Sequence, residues 1–337
     1  MKSYNIRNLV ISPGLVLSPM SGVTTSAFRR LIKELNPGTV GLVISEFISA
    51  EAMTRNVKRS LDMMRFHESE RPYGIQIFGF DIARMSDAAR MVQDAGVDLV
   101  DINCGCPAPK VVRKGGGCEL MRQPDHLAKL IASVRAAVTI PLTIKIRSGW
   151  DSSSVNAIDI ARIAQQEGAE AIAIHGRTRA QMYRGDADWE LVEKVASEAS
   201  IPVLGSGDII DYQSAGQRLS GAVAGLFIGR ASMSNPFVFG DIVNRRQAAV
   251  RSRPQLVFAA LERYVELLSE EFPASGCAGK FKQLVSQMAR GFSWRKDILT
   301  AVTFEQQIEL LRRAKENDCC RDVQWQPSGL LPARAGA

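Results

Sequence analysis

Short apolar runs recur along the chain, and each ends in polar or glycine-rich residues. They fall at 15–17, 42–44, 75–77, 99–102, 142–146, 171–174, 203–204 and 226–228. Runs this short, rich in Ile, Val and Leu, read as parallel strands buried on both faces. Between most of them lie stretches with helical spacing. Examples are 83–95 and 155–167, the latter with Ile158, Ile160, Ala161, Ile163 and Ala164. Eight strand–helix alternations predict a (β/α)8 TIM barrel rather than an open sheet. From about Pro254 the period changes. Leu256, Ala260, Tyr264, Leu267 and Leu268 make one helical face, and Phe281, Leu284, Val285 and Met288 another. Thr303 with Gln306 resembles a capping box ahead of Ile308 and Leu311. The expected organisation is a barrel over 1–247, a small helical domain over 248–325 and a tail over 326–337.

In such a barrel the chemistry sits at the carboxyl ends of the strands. There the chain places Met20, Gln76, Asn103, Cys106, Lys145, His175, Arg177, Asp208 and Arg230, each just past or at the end of a strand. One surface residue among them needs no explanation; the whole set is hard to assign to chance. The stretch 100–121 is the focus. Its strand is expected to run to Cys106-Pro107, where proline ends the ladder and leaves a thiol at the tip. Lys110, Arg113, Lys114 and the glycines at 115–117 read as a mobile basic loop. Asp125 is the expected cap of the next helix, whose apolar face is Leu127, Leu130, Ile131 and Val134.

Composition narrows the chemistry. Six cysteines at irregular spacing in 337 residues are not a disulfide framework and suit a reducing compartment. The Cys104–Cys106 pair could be half of a metal site, but no second pair stands at ligand spacing, so no metal is expected. Cys106 is the reactive candidate; Cys104 and Cys118 read as buried, structural residues. The opening residues hold too short an apolar run for a signal peptide, and no stretch approaches a membrane span. The expectation is a cytoplasmic, monomeric protein. A net charge of +7 leans toward a polyanionic partner, although an ordinary basic enzyme would carry it too. The seventh and eighth turns, Gly205-Ser206-Gly207-Asp208 and Ile228-Gly229-Arg230, combine glycines with a cation where barrels commonly bind phosphate.

These motifs resemble the tRNA-dihydrouridine synthase family over most of the chain. The resemblance rests on Ser18-Pro19-Met20-Ser21-Gly22-Val23-Thr24, Gln76-Ile77-Phe78-Gly79 and Asp101-Ile102-Asn103-Cys104-Gly105-Cys106-Pro107. It continues through Lys145-Ile146-Arg147, His175-Gly176-Arg177-Thr178-Arg179 with Tyr183 and Gly185, and the two phosphate turns. The family usually has Asn where Ser206 stands, often Met at Cys104 and a small residue at Cys118. The helical region matches less well, chiefly around 280–283. The resemblance implies FMN, reduced by NADPH, and reduction of the uridine C5=C6 bond in tRNA. It implies that Pro19, Met20 and Ser21 back the flavin ring, with Gln76 and Lys145 on its polar edge and His175 nearby. Ser206, Gly207, Asp208, Gly229 and Arg230 would take the ribityl chain and phosphate. Cys106 would protonate C5, and Asn103 would hold the uracil. Arg113, Lys114, Arg177, Arg179, Lys280 and Lys282 would meet RNA. A flavin barrel of the dihydroorotate dehydrogenase type shares the phosphate turns and the lysine but needs neither the His175–Arg179 motif nor a basic helical domain. The same chemistry on another RNA fits the motifs equally. A non-catalytic RNA-binding protein would have no use for Cys106, Lys145 and His175.

Overall fold

Eight of the apolar runs are strands of one closed barrel. The fold is seen in a computed structural model that describes residues 1–247 and 249–319; the tail expected at 326–337 lies outside the described residues. The strands are β1 (Tyr4–Ile6), β2 (Leu9–Ile11), β3 (Leu15–Leu17), β4 (Leu42–Ile44), β5 (Ile48–Ser49), β6 (Tyr73–Phe78), β7 (Leu99–Asn103), β8 (Leu142–Arg147), β9 (Ala171–His175), β10 (Val203–Ser206) and β11 (Gly225–Ile228). From β6 to β11 neighbours pair in parallel; β11 then pairs with β3, β3 with β4, and β4 with β6, closing the ring. The fold is therefore a (β/α)8 barrel followed by helices. The two-residue β5 adds to β6.

The antiparallel β1–β2 hairpin plugs the amino-terminal end of the barrel. Its Tyr4, Ile6 and Ile11 pack with Val16, Leu42, Ile44, Leu99, Ala171, Ala173, Leu204 and Phe227. Side chains alternate across a strand, and here the alternation separates two chemistries. Val100 and Ile102 on β7, and Ile144 and Ile146 on β8, join the core under the outer helices. The intervening Asp101 and Asn103, Thr143, Lys145 and Arg147 face the barrel axis. The reading of these runs as apolar on both faces holds only for the lowest interior layer.

Three local expectations change. Strand β7 ends at Asn103, so Cys106 lies in the following loop and not at the strand tip. The basic segment is not an open loop: Pro109–Val112 forms a helical turn and Gly117–Arg122 a 3-10 turn. The helix Pro124–Ala137 starts with Pro124 at its first position after Gln123. Asp125 sits inside its first turn, as a charge at the positive helix end and not as the cap.

The carboxyl-terminal helices are Pro254–Glu271, Ala274–Met288, Arg295–Thr300 and Phe304–Cys319. Leu256 is exposed; the buried face of the first is Val257, Phe258, Ala260, Leu261, Tyr264, Leu267 and Leu268. The Thr303–Gln306 box forms reciprocally: Gln306 N–H donates to Thr303 Oγ1 at 3.2 Å and Thr303 N–H to Gln306 Oε1 at 3.3 Å. Helix Pro254–Glu271 lies on the first barrel helix, Ser26–Leu35. Phe28 meets Tyr264 edge-on with centroids 6.3 Å apart, and Arg263 pairs with Glu34 at 2.7 Å. The apolar core runs without a break from the barrel helices into these helices. Among the described residues, no helix is long and apolar enough to cross a membrane.

Candidate active site

Cys106 is held by the strand before it. Asn103, the last residue of β7, turns its Oδ1 back to accept the Cys106 N–H at 2.9 Å and the Gly105 N–H at 3.2 Å. This is the local bond by which Asn favours a turn after a strand. The Cys106 carbonyl accepts the Cys118 N–H at 3.1 Å, fixing the loop from its other side. Gly117 is obligatory there. Its φ is +61°, and a Cβ would stand 2.5 Å from the Cys106 carbonyl oxygen. Burial raises the Cys106 thiol pKa, only partly offset by a bond from the Ala108 backbone and by Arg147 and Lys110. The thiol therefore keeps its proton at neutral pH. Cys104 and Cys118 are buried and also pushed up, chiefly by burial, as inert structural thiols are.

The Asn103 amide group donates to Gln76 Oε1 at 2.7 Å, and Gln76 Nε2 donates to Asp101 Oδ2 at 2.5 Å. Gln76 is fully buried, with both ends of its amide engaged. It holds Asn103 in place. Asn103 was expected to hold the uracil. Its oxygen is committed to the cysteine loop, leaving one amide hydrogen.

The other side of the mouth is cationic. Lys145 pairs in register with Asn103 and points into the barrel. Its amine makes no side-chain hydrogen bond or ion pair among the described residues, and lies 5.7 Å over the Phe227 ring. Burial first, then Arg147, push its pKa down to about 8; Asp101 opposes this. His175 ends β9 in register with Arg147 and Ser206. Its Nε2 lies 3.3 Å from Arg177 Nη1. A guanidinium can only donate, so Nε2 accepts and the ring proton sits on Nδ1. Burial, with Lys145, Arg147, Arg177 and Arg230 around it, lowers the His175 pKa to about 2. The ring is neutral.

The turns after β3, β10 and β11 meet beside it. Ser18 N–H donates to the Ile228 carbonyl at 2.9 Å, which sets the turn of Pro19, Met20 and Ser21 beside β11 and brings Met20 to Gly229. Gly207, at φ +118°, has no room for a side chain: a Cβ would lie 2.6 Å from Ala187 Cβ and 3.0 Å from His175 Cδ2. Arg230 is exposed, its guanidinium 4.7 Å over the Tyr183 ring. Ser206 is buried at the end of β10.

Two charged residues hold each other. Arg177 is 3% exposed; its Nη2 lies 2.8 Å from both Asp208 oxygens and also donates to the Gly185 carbonyl. Asp208 accepts from Arg177 and from the Ala187 N–H at 2.9 Å, and so fastens two loops. Burial opposes its charge, but the bonds to Arg177 and Ala187 hold its pKa below the usual range. Arg113 and Lys114 are exposed and form no ion pair among the described residues. Arg179 stacks 4.6 Å over Trp150, opposite Arg122 at the same distance. Lys280 covers the Phe272 ring at 4.6 Å, and Lys282 is half-buried on the same helix.

Sequence reasoning missed Asp101, Thr143 and Arg147 as parts of the site. Arg147 is buried and donates to the carbonyls of Gly105, Thr178 and Met182 at 2.9, 2.9 and 2.8 Å, tying the cysteine loop to the loop after β9. The signal was present: in both β7 and β8 polar residues occupy alternate positions.

Fold and site together define a parallel-barrel protein with a protonated thiol and a cluster of cations at its strand ends. A family model described as dihydrouridine synthase (Dus) matches residues 16–319, and the chain belongs to that family. The tRNA-dihydrouridine synthase B of Pseudomonas syringae pv. tomato is 38% identical over 243 residues, 72% of this chain and 71% of that protein. A probable tRNA-dihydrouridine synthase of Rhodobacter capsulatus is 37% identical over 275 residues, 81% and 82% of the two chains. Among solved structures, a complex of 2-naphthoyl-CoA reductase with 2-naphthoyl-CoA superimposes with a TM-score of 0.56 at 13% identity. That match covers 73% of this chain and about half of the reductase chain (52%), and the likeness is one of fold.

Proposed function

We propose that the chain reduces the C5=C6 bond of uridine in tRNA, with FMN as bound cofactor and NADPH as the reductant. The names of its relatives support the reaction, and the residues fit the cofactor. Lys145 is a half-buried cation with no carboxylate bonded to it among the described residues, suited to an anionic ring edge. The His175 Nδ1–H is a second donor. Ser206, the side-chain-free backbone at Gly207, Gly229 and Arg230 suit a ribityl phosphate. Met20 lies against Gly229, and with Pro19 and Ser21 on the same turn it would back the ring. When bound, the reduced flavin would supply hydride for C6 of the uracil.

The chain's own part is to place the base and to protonate C5. A uridine must leave its stack to enter the barrel mouth. Cys106 keeps its proton at neutral pH because it is partly buried. Its loop is fixed by Asn103 and by the Cys118 N–H. A thiol in that state is a general acid, a role worth about 10²–10⁴ in rate. The observation that carries the reading is this one: a protonated thiol, anchored by its own strand end, shares a barrel mouth with a half-buried lysine that has no hydrogen-bond or ion-pair partner among the described residues. Arg113 and Lys114, exposed on the segment after Cys106, would meet the RNA backbone, with Arg179, Lys280 and Lys282 further out.

The test is nucleoside mass spectrometry on unmodified tRNA incubated with protein, FMN and NADPH, with Cys106→Ala alongside. A two-hydrogen gain on uridine that the variant loses supports the reaction and the acid. A yellow protein that oxidises NADPH but leaves tRNA unchanged would turn the reading toward another RNA or a small substrate. A protein that binds no flavin would end it.

A further inference from the structure

We infer that Asp101 is a positioning residue: it sets the direction of a chain of amide hydrogen bonds that ends on the Cys106 N–H. The chain starts on β8, where Thr143 Oγ1 donates to Asp101 Oδ1 at 2.5 Å. Gln76 Nε2 donates to Asp101 Oδ2, Asn103 Nδ2 to Gln76 Oε1, and the Gly105 and Cys106 N–H groups to Asn103 Oδ1. Gln76, Asp101 and Thr143 are register partners on three adjacent strands, so the ladder itself brings them together.

The direction matters because amides are two-faced and a carboxylate is not. Gln and Asn each present a donor end and an acceptor end, and either can be turned around. An ionised carboxylate only accepts. Facing Asp101, Gln76 must point its NH2 group inward, which leaves Oε1 outward. Asn103 must then meet Oε1 with its own NH2 group, which leaves Oδ1 for the cysteine loop. Reverse the first amide and each later one reverses, until an NH2 group confronts the Gly105 and Cys106 N–H groups. Donor would face donor.

Burial adds a second argument. Asp101 is fully buried inside the barrel. Burial raises its pKa to about 6, against bonds from Thr143 and Gln76 and the charge of Lys145. A buried carboxylate is costly where an apolar residue could pack. The chain of bonds names what an apolar residue could not do there: break the symmetry of two amides.

This rests on the reading of Cys106 as the acid only for its catalytic meaning. The test reads the amide chain without turnover, by native-state hydrogen exchange of the Gly105 and Cys106 amides in flavin-free protein, resolved by 15N NMR. Asp101→Asn puts an amide that can turn either end to Gln76 where only acceptors stood, so the direction is no longer enforced, and both amides are expected to exchange at least tenfold faster. Combining it with Asn103→Asp moves the all-acceptor end to the loop and reverses the chain. Each amide then donates toward the loop, the net charge is unchanged, and exchange is expected to return to within threefold of the native protein. Thr143→Val leaves the direction intact, and its exchange should stay within threefold. The inference is overturned if Asp101→Asn exchanges like the native protein, if the double variant is no better protected than the single one, or if Thr143→Val opens the loop as far as Asp101→Asn does. Should the single variant not fold, the double one decides: folded and protected supports the chain, unfolded overturns it. In turnover, Asp101→Asn should lower kcat with little change in KM for tRNA. Faster exchange with unchanged kcat would leave the amide chain standing and show that it does not govern turnover.

Discussion

Two sides of one barrel mouth are built differently. At the ends of β6 and β7, Gln76, Asp101 and Asn103 spend their hydrogen bonds on one another and on the backbone around Cys106. At the ends of β8, β9 and β11, Lys145 has no such partner among the described residues, His175 keeps a free Nδ1–H, and Arg230 is exposed. Buried polar groups are normally satisfied. A side that is satisfied internally holds a geometry; a side that is not is suited to a ligand. The first fixes a thiol, and the second suits an anion.

The largest effect should come from the one proton the satisfied side has to give: Cys106→Ala should lower tRNA turnover by about 10²–10⁴ while flavin content is unchanged by absorbance. Next is the unsatisfied side. Lys145→Met removes a charged donor, an interaction of about 1.5–3 kcal/mol, so flavin affinity should weaken about 10- to 100-fold in a fluorescence titration. An unchanged affinity would mean that the cationic side does not face the cofactor.

A third test concerns stability. The His175 imidazole has an ordinary pKa of 6.5, which it regains on unfolding, but stays neutral to about 2 in the fold. Between those values the unfolded chain binds a proton that the fold does not, so acid favours unfolding. At about 1.4 kcal/mol per pH unit, lowering the pH from 6.5 to roughly 4.5 should remove about 2–3 kcal/mol through this group alone. His175→Gln should flatten that acid limb in urea unfolding of flavin-free protein. The smallest effect lies outside both sides. Arg113→Ala with Lys114→Ala should weaken tRNA binding several-fold and reduce the salt slope by about 1 per residue lost, leaving kcat alone.

Much of the barrel was legible. Its strands are short apolar runs punctuated by Gly, Pro and polar residues, and closure follows from their number. The β1–β2 hairpin was not, because three-residue strands with Arg7 and Asn8 between them show no period; only the open end of the barrel makes them a plug. The site was legible as a list of strand-end residues and not as a set of roles. Arg177 and Asp208 are both charged and near the mouth, but they bond to each other. Asp101 stood in the motif that opens the cysteine stretch, but inside an apolar run it showed no role of its own. Alternate polar positions at 101 and 103, and at 143, 145 and 147, were the signal that the barrel interior is polar above its lowest layer.

The sequence by itself determined the number of barrel strands, the residues near their ends, the thiol and the glycines that leave room for backbone. It did so because these follow from periods of two and 3.6 and from local turn chemistry. The tertiary structure alone decided which polar groups are spent and which remain. Gln76, Asp101 and Thr143 lie 25 and 42 residues apart and meet only through strand register. Lys145 differs from Arg177 only in whether closure brings a carboxylate within reach. Hydrogen-bond satisfaction depends on neighbours, and neighbours across a barrel are set by how the sheet closes.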